Sequence, residues 1–290
     1  MRLKNSNSFW ILTILVIYLG INILIADVLS LFGEEYTSFH MWFILLFVGQ
    51  LILIILAISP LGEMILRFLF GARKIVKQQD KDYLDPIFRS VYRNVLENKK
   101  RTSKRIKLYI DRSMGISAYA VGNNTIVVSR GTIDSLSPDE LKGVIAHELG
   151  HLYNGDTIVN ITLLVGNIYL CVIFMIIKII KIILGACDII TGEDKLYSNI
   201  GKFLIWICGM VAVPAVLIIR IAVYVLQREN EYKSDEFSHE IGQGSNLISA
   251  LYKLDKLDFS DGDTKMIERL LTSHPRTDKR IEKLESMQKK

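Results

Sequence analysis

The amino-acid sequence predicts a mainly α, α+β membrane protein with four membrane-spanning helices and a soluble domain that is split between two stretches of the chain. Half of the 290 residues are hydrophobic, and about half of these gather in four runs long enough to cross a bilayer. The segments that follow the second and fourth runs are charged and carry helix and strand patterns. Two pairs of spans therefore alternate with two soluble segments.

The four apolar runs cover about residues 9–26, 41–58, 158–184 and 203–226. Each is longer than the usual buried helix of a soluble protein, which favours membrane spans. A cleaved signal peptide is the alternative for the first run. We expect a retained anchor instead, because the run lacks a small-residue cleavage site and a second run follows soon after it.

Charge placement predicts the orientation of these spans in the cell membrane. Arg2 and Lys4 precede the first run, the link 28–40 has no Lys or Arg, and the stretch 67–142 is rich in both. The positive-inside rule then places both termini and the soluble segments in the cytoplasm. The net charge of +5 indicates topology and contact with anionic lipids rather than a nucleic-acid partner, since no zinc-finger or phosphate-loop motif accompanies it.

Four domain segments follow from these boundaries. Residues 1–59 form the first transmembrane hairpin and residues 158–226 the second. Residues 60–157 and 227–290 form the two parts of one soluble domain. The three cysteines have no paired spacing, which argues against a disulfide framework or a cysteine metal site.

Secondary structure in the first soluble part begins with an amphipathic helix over 85–99 and a strand over 106–110. Two further strands, 117–121 and 125–129, flank the turn Gly122-Asn123-Asn124 and predict a β-hairpin. The free edge of such a hairpin could pair with an extended peptide through backbone hydrogen bonds. A purely structural hairpin is the alternative.

A helix with a metal-binding pattern follows. Ser137-Pro138-Asp139-Glu140 is a capping box with proline at the first helical position. His147 and His151 lie four residues apart, so they share a helix face and can bind one zinc ion per chain. Glu148 is offset on the same helix and can reach a water whose pKa zinc lowers to about 7. A surface helix that happens to carry two histidines is the alternative.

The third ligand comes from a later charged segment with two candidate glutamates, Glu229 and Glu231. Asp235 lies four residues after Glu231, where its carboxylate can orient a zinc-bound histidine. Glu229 has Lys233 at the same offset, which is typical of a surface pair. We therefore expect Glu231 to be the ligand, and the alternative is a solvated charged helix.

These motifs resemble those of the HtpX-type membrane zinc metallopeptidases, relatives of the CAAX prenyl proteases in the gluzincin group. The resemblance covers about residues 118–275 and includes Ala118-Tyr119-Ala120, Asn154-Gly155-Asp156 and His274-Pro275. It implies a zincin-like soluble domain and a cytoplasmic-facing zinc endopeptidase whose polypeptide substrates are damaged membrane proteins. The chain departs from the family pattern at Asn230, where a basic or aromatic residue is usual, and at Ser234, where alanine is usual.

The resemblance also implies site roles. His147, His151 and Glu231 would be the zinc ligands and Asp235 the residue behind a ligand, and the late residues His274 and Arg280 would lie near the site. We expect peptide-bond hydrolysis in which Glu148 moves the proton of the attacking water, while His274 or Arg280 stabilises the oxyanion.

Two other functions stay open. A prenyl-protein endopeptidase is the alternative within the same class, although four spans are few for enclosing a lipid-modified substrate. A non-hydrolytic membrane scaffold or chaperone with a structural metal is the alternative from another class. The intact Glu148 argues against it, because a structural site needs no base.

Overall fold

A computed structural model describes residues 3–30, 37–99, 105–191, 196–260 and 277–289. The helices are α1 (Leu3–Ser30), α2 (Thr37–Ile58), α3 (Pro60–Leu69), α4 (Gln78–Lys99), α5 (Arg130–Ser135), α6 (Pro138–Asn154), α7 (Asp156–Thr191), α8 (Leu196–Glu240), α9 (Gly244–Ser260) and α10 (Thr277–Gln288). The strands are β1 (Arg73–Lys74), β2 (Lys107–Asp111), β3 (Ala118–Val121) and β4 (Thr125–Ser129). The fold is therefore mostly helical with one small sheet, as the sequence predicts.

The chain divides into two compact units. The helical unit comprises Met1–Ala57 and Ile161–Leu226, and the mixed unit comprises Ile58–Asn160 and Gln227–Lys290. The boundary between the two units falls inside α7 and again inside α8. Each of these helices therefore contributes residues to both units.

One helical segment of the described residues, His40–Ile58, is long and apolar enough to cross a membrane. Leu12–Asp27 and Asp156–Gly166 are shorter apolar helical segments. In the helical unit, the buried Asn22 on α1 donates a hydrogen bond from Nδ2 to Oε1 of the buried Gln50 on α2, over 2.6 Å. Because a single segment in the described part of the chain is both long and apolar enough, the arrangement of four spans stays a prediction.

The mixed unit contains a four-stranded sheet in the order β1-β2-β4-β3. The predicted hairpin is confirmed, since β3 and β4 pair antiparallel around Gly122, whose φ is 61°. Strands β2 and β4 pair parallel, with Lys107 opposite Thr125, and β1 pairs antiparallel with β2. The hairpin's first strand, β3, therefore lies at the outer edge of the sheet.

A hydrophobic core lies between this sheet and the helices α4 and α6. Strand β4 is buried along its whole length, because it has a neighbouring strand on each side. Fully buried side chains from the three elements form this core, among them Ile126, Val128, Leu84, Val91, Ile145 and Leu149. Helix α4 begins at Gln78 rather than at the predicted residue 85, because the buried Leu84 extends its apolar face toward the start of the chain.

Helix α6 begins where its sequence predicts. The side chain of Ser137 accepts a hydrogen bond from the backbone N–H of Glu140, and the Glu140 carboxylate accepts one from the backbone N–H of Ser137. The helix ends at Asn154, and Gly155 follows in the left-handed conformation with φ 80°, which glycine adopts without strain. This helix positions the residues of the candidate site.

Helix α9 packs against α6, and α10 packs against α9. A Cβ added at Gly143 of α6 would lie 2.3 Å from the backbone nitrogen of Leu247 on α9, so the two helices are in very close contact. Apolar side chains join α9 to α10, namely Leu247, Ile248, Leu251, Ile281 and Leu284. This packing fixes α10 beside the site.

Candidate metal centre

Helix α6 places its two histidines side by side in the interior of the mixed unit. The ring centroids of His147 and His151 are 4.7 Å apart and the rings are nearly perpendicular, at 88°. Their Nε2 atoms approach to 3.2 Å. The four-residue spacing on one helix therefore brings two imidazole nitrogens to one point.

Helix α8 supplies a carboxylate at the same point. The Oε2 atom of Glu231 lies 3.4 Å from Nε2 of His147, and its Oε1 atom lies 3.6 Å from Nε2 of His151. Among the described residues, these three form a group whose ligand atoms could hold a metal ion. Glu229, the other candidate glutamate, is not part of that group.

The close approach of α8 to α6 depends on a glycine. A Cβ added at Gly150 of α6 would lie 2.8 Å from Cα of Ser234 on α8. A side chain larger than hydrogen at residue 150 would therefore push the two helix backbones apart. Gly150 lies between the two histidines and Ser234 lies one turn after Glu231, so this contact sets the distance between the histidine pair and the carboxylate.

The outer ring nitrogens of both histidines face carboxylates. Nδ1 of His147 lies 3.0 Å from Oδ1 of the buried Asp235. Nδ1 of His151 lies 3.0 Å from Oδ2 of the buried Asp156, with the Ser234 hydroxyl at the same distance. Because a carboxylate only accepts hydrogen bonds, each Nδ1–H donates, and in the neutral form of each ring this leaves a lone pair on Nε2. Two lone pairs and the Glu231 carboxylate thus converge on one point, an arrangement that a cation would stabilise.

The guanidinium of Arg280 on α10 lies behind the carboxylates. Its Nε and Nη2 donate to the two oxygens of Asp235 at 2.8 and 2.7 Å. Its Nη1 lies 3.0 Å from Oε2 of Glu231. This fork binds Asp235 through both oxygens, so α10 is linked through charged hydrogen bonds to the helix that carries the candidate ligand.

The electrostatics of the site favour positive charge. Burial disfavours the charged imidazolium of His151, but hydrogen bonds to Asp156 and Glu231 outweigh it and raise the pKa of this histidine to about 10. Burial opposes charge at His147 as well, yet Asp235 and Glu231 raise the pKa of that ring. The site therefore attracts protons in the absence of a metal ion, and a metal ion would compete with them.

The pKa of Asp235 moves in the opposite direction. Burial alone would raise the pKa of its carboxyl group, but the charge of Arg280 and the hydrogen bond from His147 lower it to about 2. Burial would lower the pKa of Arg280, but the charge of Asp235 and its hydrogen bonds with Arg280 raise it. Both groups are therefore charged at neutral pH and form a buried ion pair, which removal of either partner would leave uncompensated.

The remaining predicted site residues are Glu148 and His274. Glu148 is buried on α6 next to the first histidine, and its charge acts on His151 and Arg280. His274 lies outside the described residues. Asp156 was not predicted as a site residue, although the Asn154-Gly155-Asp156 motif contains it. The signal was its position directly after the glycine that ends α6, where the chain turns back toward the second histidine.

The sequence and the fold are each similar to those of known proteins. The sequence model of peptidase family M48 matches residues 83–288. The chain is 27% identical over 226 residues to Protease HtpX of Wigglesworthia glossinidia brevipalpis, covering 73% of this chain and 76% of the relative. It is 29% identical over 218 residues to Protease HtpX of Yersinia pestis (strain Pestoides F), covering 67% and 73%. The crystal structure of S. mikatae Ste24p has the same fold, with a TM-score of 0.52 at 18% identity, over 98% of this chain and 66% of that one.

Proposed function

The chain belongs to peptidase family M48, and from that premise we propose that it is a membrane-bound zinc endopeptidase of the HtpX type whose catalytic centre is built on His147, His151 and Glu231. Glu148 is the general base of this proposal. Asp235 and Asp156 hold the ligands, and Arg280 holds Asp235 and Glu231. The substrates are polypeptides.

The observation that carries the proposal is the close approach of the two histidine nitrogens to each other and to the Glu231 carboxylate. Atoms that bind a tetrahedral zinc ion at about 2.0–2.2 Å lie about 3.3–3.6 Å from one another. The two Nε2 atoms are 3.2 Å apart, Oε2 of Glu231 is 3.4 Å from Nε2 of His147, and Oε1 of the same carboxylate is 3.6 Å from Nε2 of His151. A set of two histidines and one glutamate is also a known set for catalytic zinc, with the fourth position open to water.

The carboxylates behind the histidines support a catalytic site. Asp235 and Asp156 accept from the Nδ1–H groups and thereby keep each ring in the tautomer whose Nε2 can bind metal. Arg280 balances part of the negative charge and keeps Asp235 ionised. The chain's own side chains therefore orient the ligands before any ion is bound.

Peptide hydrolysis then depends on Glu148. When bound, zinc would polarise the scissile carbonyl and lower the pKa of the attacking water. The Glu148 carboxylate accepts a proton from that water as its oxygen attacks the carbonyl carbon, and then delivers the proton to the amide nitrogen as the C–N bond breaks. Burial of Glu148 excludes bulk water that would otherwise exchange with this proton.

An oxyanion role for His274 or Arg280 stays a prediction. His274 falls outside the described residues. All three guanidinium nitrogens of Arg280 contact the carboxylates of Asp235 or Glu231. These contacts favour a positioning role for this residue. Removal of Arg280 should then weaken metal binding as well as turnover.

The membrane part of the proposal has four spans, with residues 1–59 and 158–226 as transmembrane hairpins. Residues 60–157 and 227–290 form the cytoplasmic peptidase domain. The apolar segment His40–Ile58 supports this topology. The basic residues that precede the first predicted hairpin and follow each hairpin in the chain support it as well. A site beside the cell membrane fits a role in the removal of damaged membrane proteins.

The test compares purified full-length protein with three single variants. Each is treated with a chelator in detergent, reloaded with zinc and incubated with casein. Glu148→Gln should keep bound zinc and lose cleavage, Glu231→Gln should lose both, and the neighbouring Glu229→Gln should keep both. Bound zinc without cleavage in the unmodified protein, unchanged by Glu148→Gln, would contradict the proposal and favour a scaffold with a structural metal.

A further inference from the structure

Helix α3 turns its charged residues inward and, apart from Leu66, which packs against a hydrophobic cluster of the sheet, it turns its large apolar residues outward. Its charged residues Glu63 and Arg67 point inward, with 10% and 19% of their side chains exposed. Its apolar residues Leu61, Met64 and Phe68 are 52%, 53% and 84% exposed. A surface helix normally turns its apolar stripe toward the core, so this arrangement indicates an apolar environment outside the helix.

The inward face is firmly attached to the sheet. The Glu63 carboxylate accepts a 2.5 Å hydrogen bond from the Thr125 hydroxyl and another from the backbone N–H of Asn123, in the turn between β3 and β4. Arg67 donates to Glu63 over 2.9 Å and lies over the ring of Tyr109. These buried polar contacts fix which face of α3 is turned outward, since a rotation of the helix would break them.

The outward face forms one continuous stripe. The spacing of Leu61, Met64, Ile65 and Phe68 is that of a single helix face, and Leu69 and Phe70 extend it at 69% and 51% exposure. The stripe contains no charged residue. Exposed large apolar side chains that adjoin one another mark an interaction site rather than ordinary surface.

The position of α3 in the chain identifies what this stripe contacts. The candidate span ends at Ile58, and α3 begins at Pro60 after the cap residue Ser59, so the helix starts where the chain leaves the bilayer. Exposed basic residues follow it directly, at Arg73, Lys74 and Lys77. An apolar stripe flanked by exposed cations is the pattern of a helix that lies in the interface of an anionic membrane.

We propose that α3 inserts its stripe (Leu61, Met64, Ile65, Phe68, Leu69 and Phe70) into the interface of an anionic lipid bilayer and holds the β3–β4 hairpin at the membrane surface. The Tyr119 hydroxyl on β3 donates to the backbone carbonyl of Phe70 over 3.0 Å, which ties the edge strand to the end of the inserted helix. The lipid contact thereby sets the height of the edge strand, and it favours substrate segments that emerge from the bilayer close to the headgroups. The insertion rests on the membrane part of the proposed function, since it needs the span that ends at Ile58, and the consequence for substrates rests on the peptidase activity as well.

The experiment measures insertion through the fluorescence of a single tryptophan. Trp10, Trp42 and Trp206 are replaced by phenylalanine in the full chain, in the Glu148→Gln background so that self-cleavage cannot interfere. Phe68→Trp is then introduced and the protein is reconstituted in vesicles of phosphatidylcholine and phosphatidylglycerol. Lipids brominated at different depths report contact with acyl chains, and acrylamide reports contact with water.

The expected result is a loss of Phe68→Trp emission that is greatest with the shallowest bromines, since interfacial helices lie about 5–10 Å into the headgroup boundary. Quenching by acrylamide alone would overturn the proposal, because it would place the stripe in water. Protection from both quenchers would also overturn it, because the stripe would then be covered by protein, either the chain's own spans or a second copy. Leu61→Trp provides an independent reading on the same stripe if the first variant fails to fold.

A matched control and a charge variant sharpen the test. Tyr252→Trp introduces an exposed aromatic residue on α9 of the same unit, and it should be quenched by acrylamide and not by bromines. Equal bromine quenching at Tyr252 and Phe68 would refute a contact specific to α3. Replacement of Arg73, Lys74 and Lys77 by glutamate should reduce bromine quenching at Phe68 in vesicles with phosphatidylglycerol to the level seen with phosphatidylcholine alone. An unchanged dependence on anionic lipid would refute the role of the basic flank.

Discussion

Replacement of Gly150 by alanine should weaken zinc binding because it separates α6 from α8. The added Cβ would lie 2.8 Å from Cα of Ser234, whereas ordinary van der Waals contact begins at 3.4 Å, so the backbones must move apart by about 0.6 Å. Glu231 lies one turn before Ser234 on α8, and its oxygens would retreat from the histidines by a similar distance. Zinc sites tolerate deviations of about 0.2 Å in ligand distance, so we expect a 10- to 100-fold loss of affinity, the range found for disturbed ligand supports.

The assay is zinc competition with a fluorescent chelator on protein in detergent, together with thermal unfolding of the metal-free form. Gly143→Ala is the matched control for steric crowding. Its Cβ would lie 2.3 Å from the backbone of Leu247 on α9, and α9 carries none of the proposed ligands. It should lower stability by about 1–3 kcal/mol with a smaller loss of zinc affinity. Gly49→Ala, which has no atom within 4 Å, should change neither. A zinc affinity of Gly150→Ala within twofold of the unmodified protein would refute the reasoning.

Three further predictions concern the helix cap, the ligand support and acid stability. Ser137→Ala removes the cap of α6 and should lower the free energy of unfolding by about 1 kcal/mol in a denaturant titration; no change would mean that the capping box contributes nothing here. Asp156→Asn replaces the carboxylate that accepts a hydrogen bond from Nδ1 of His151. It should weaken zinc binding about 10- to 100-fold in the chelator assay, and an unchanged affinity would contradict the proposal that Asp156 orients this ligand. The pKa of Asp235 is lowered from 3.8 to about 2 in the folded protein, so its contacts with Arg280 and His147, after the cost of its burial, contribute about 2 kcal/mol above pH 4 that is lost as the pH falls from 4 to 2. Unfolding of the metal-free protein at pH 5, 3 and 2 should show this loss, and Asp235→Asn should show less of it.

Local patterns in the sequence predicted the parts of the site that lie on one helix. The capping box at Ser137 and the shared face of His147 and His151 both depend on residues a few positions apart, where helix geometry alone fixes the neighbours. The β3–β4 hairpin was predictable for the same reason. The choice of Glu231 over Glu229 also used a local spacing, that of Asp235 four residues later.

Contacts between distant segments were not predictable in this way. No periodicity indicates that β2 pairs parallel with β4 and leaves β3 at the edge, since that order depends on which strand is buried on both sides. The two hydrogen bonds from Arg280 to Asp235 and its ion pair with Glu231 depend on the packing of α10 against α9. The inward turn of Glu63 and Arg67 opposes the usual rule for surface helices, so sequence alone would have assigned these charges to solvent.

The wide separation of the site residues along the chain also affects the order in which the protein matures. Arg280 is 133 positions beyond His147, and bacterial and eukaryotic ribosomes add about 5–20 residues per second. About 7 to 27 s therefore pass between synthesis of the first histidine and synthesis of the arginine that fixes Asp235 and Glu231. During this interval the newly made histidine helix has no complete set of partners. With the proposed ligand set, cleavage of neighbouring nascent chains, or of the chain itself, has to wait until the second soluble part, which carries Glu231, has emerged.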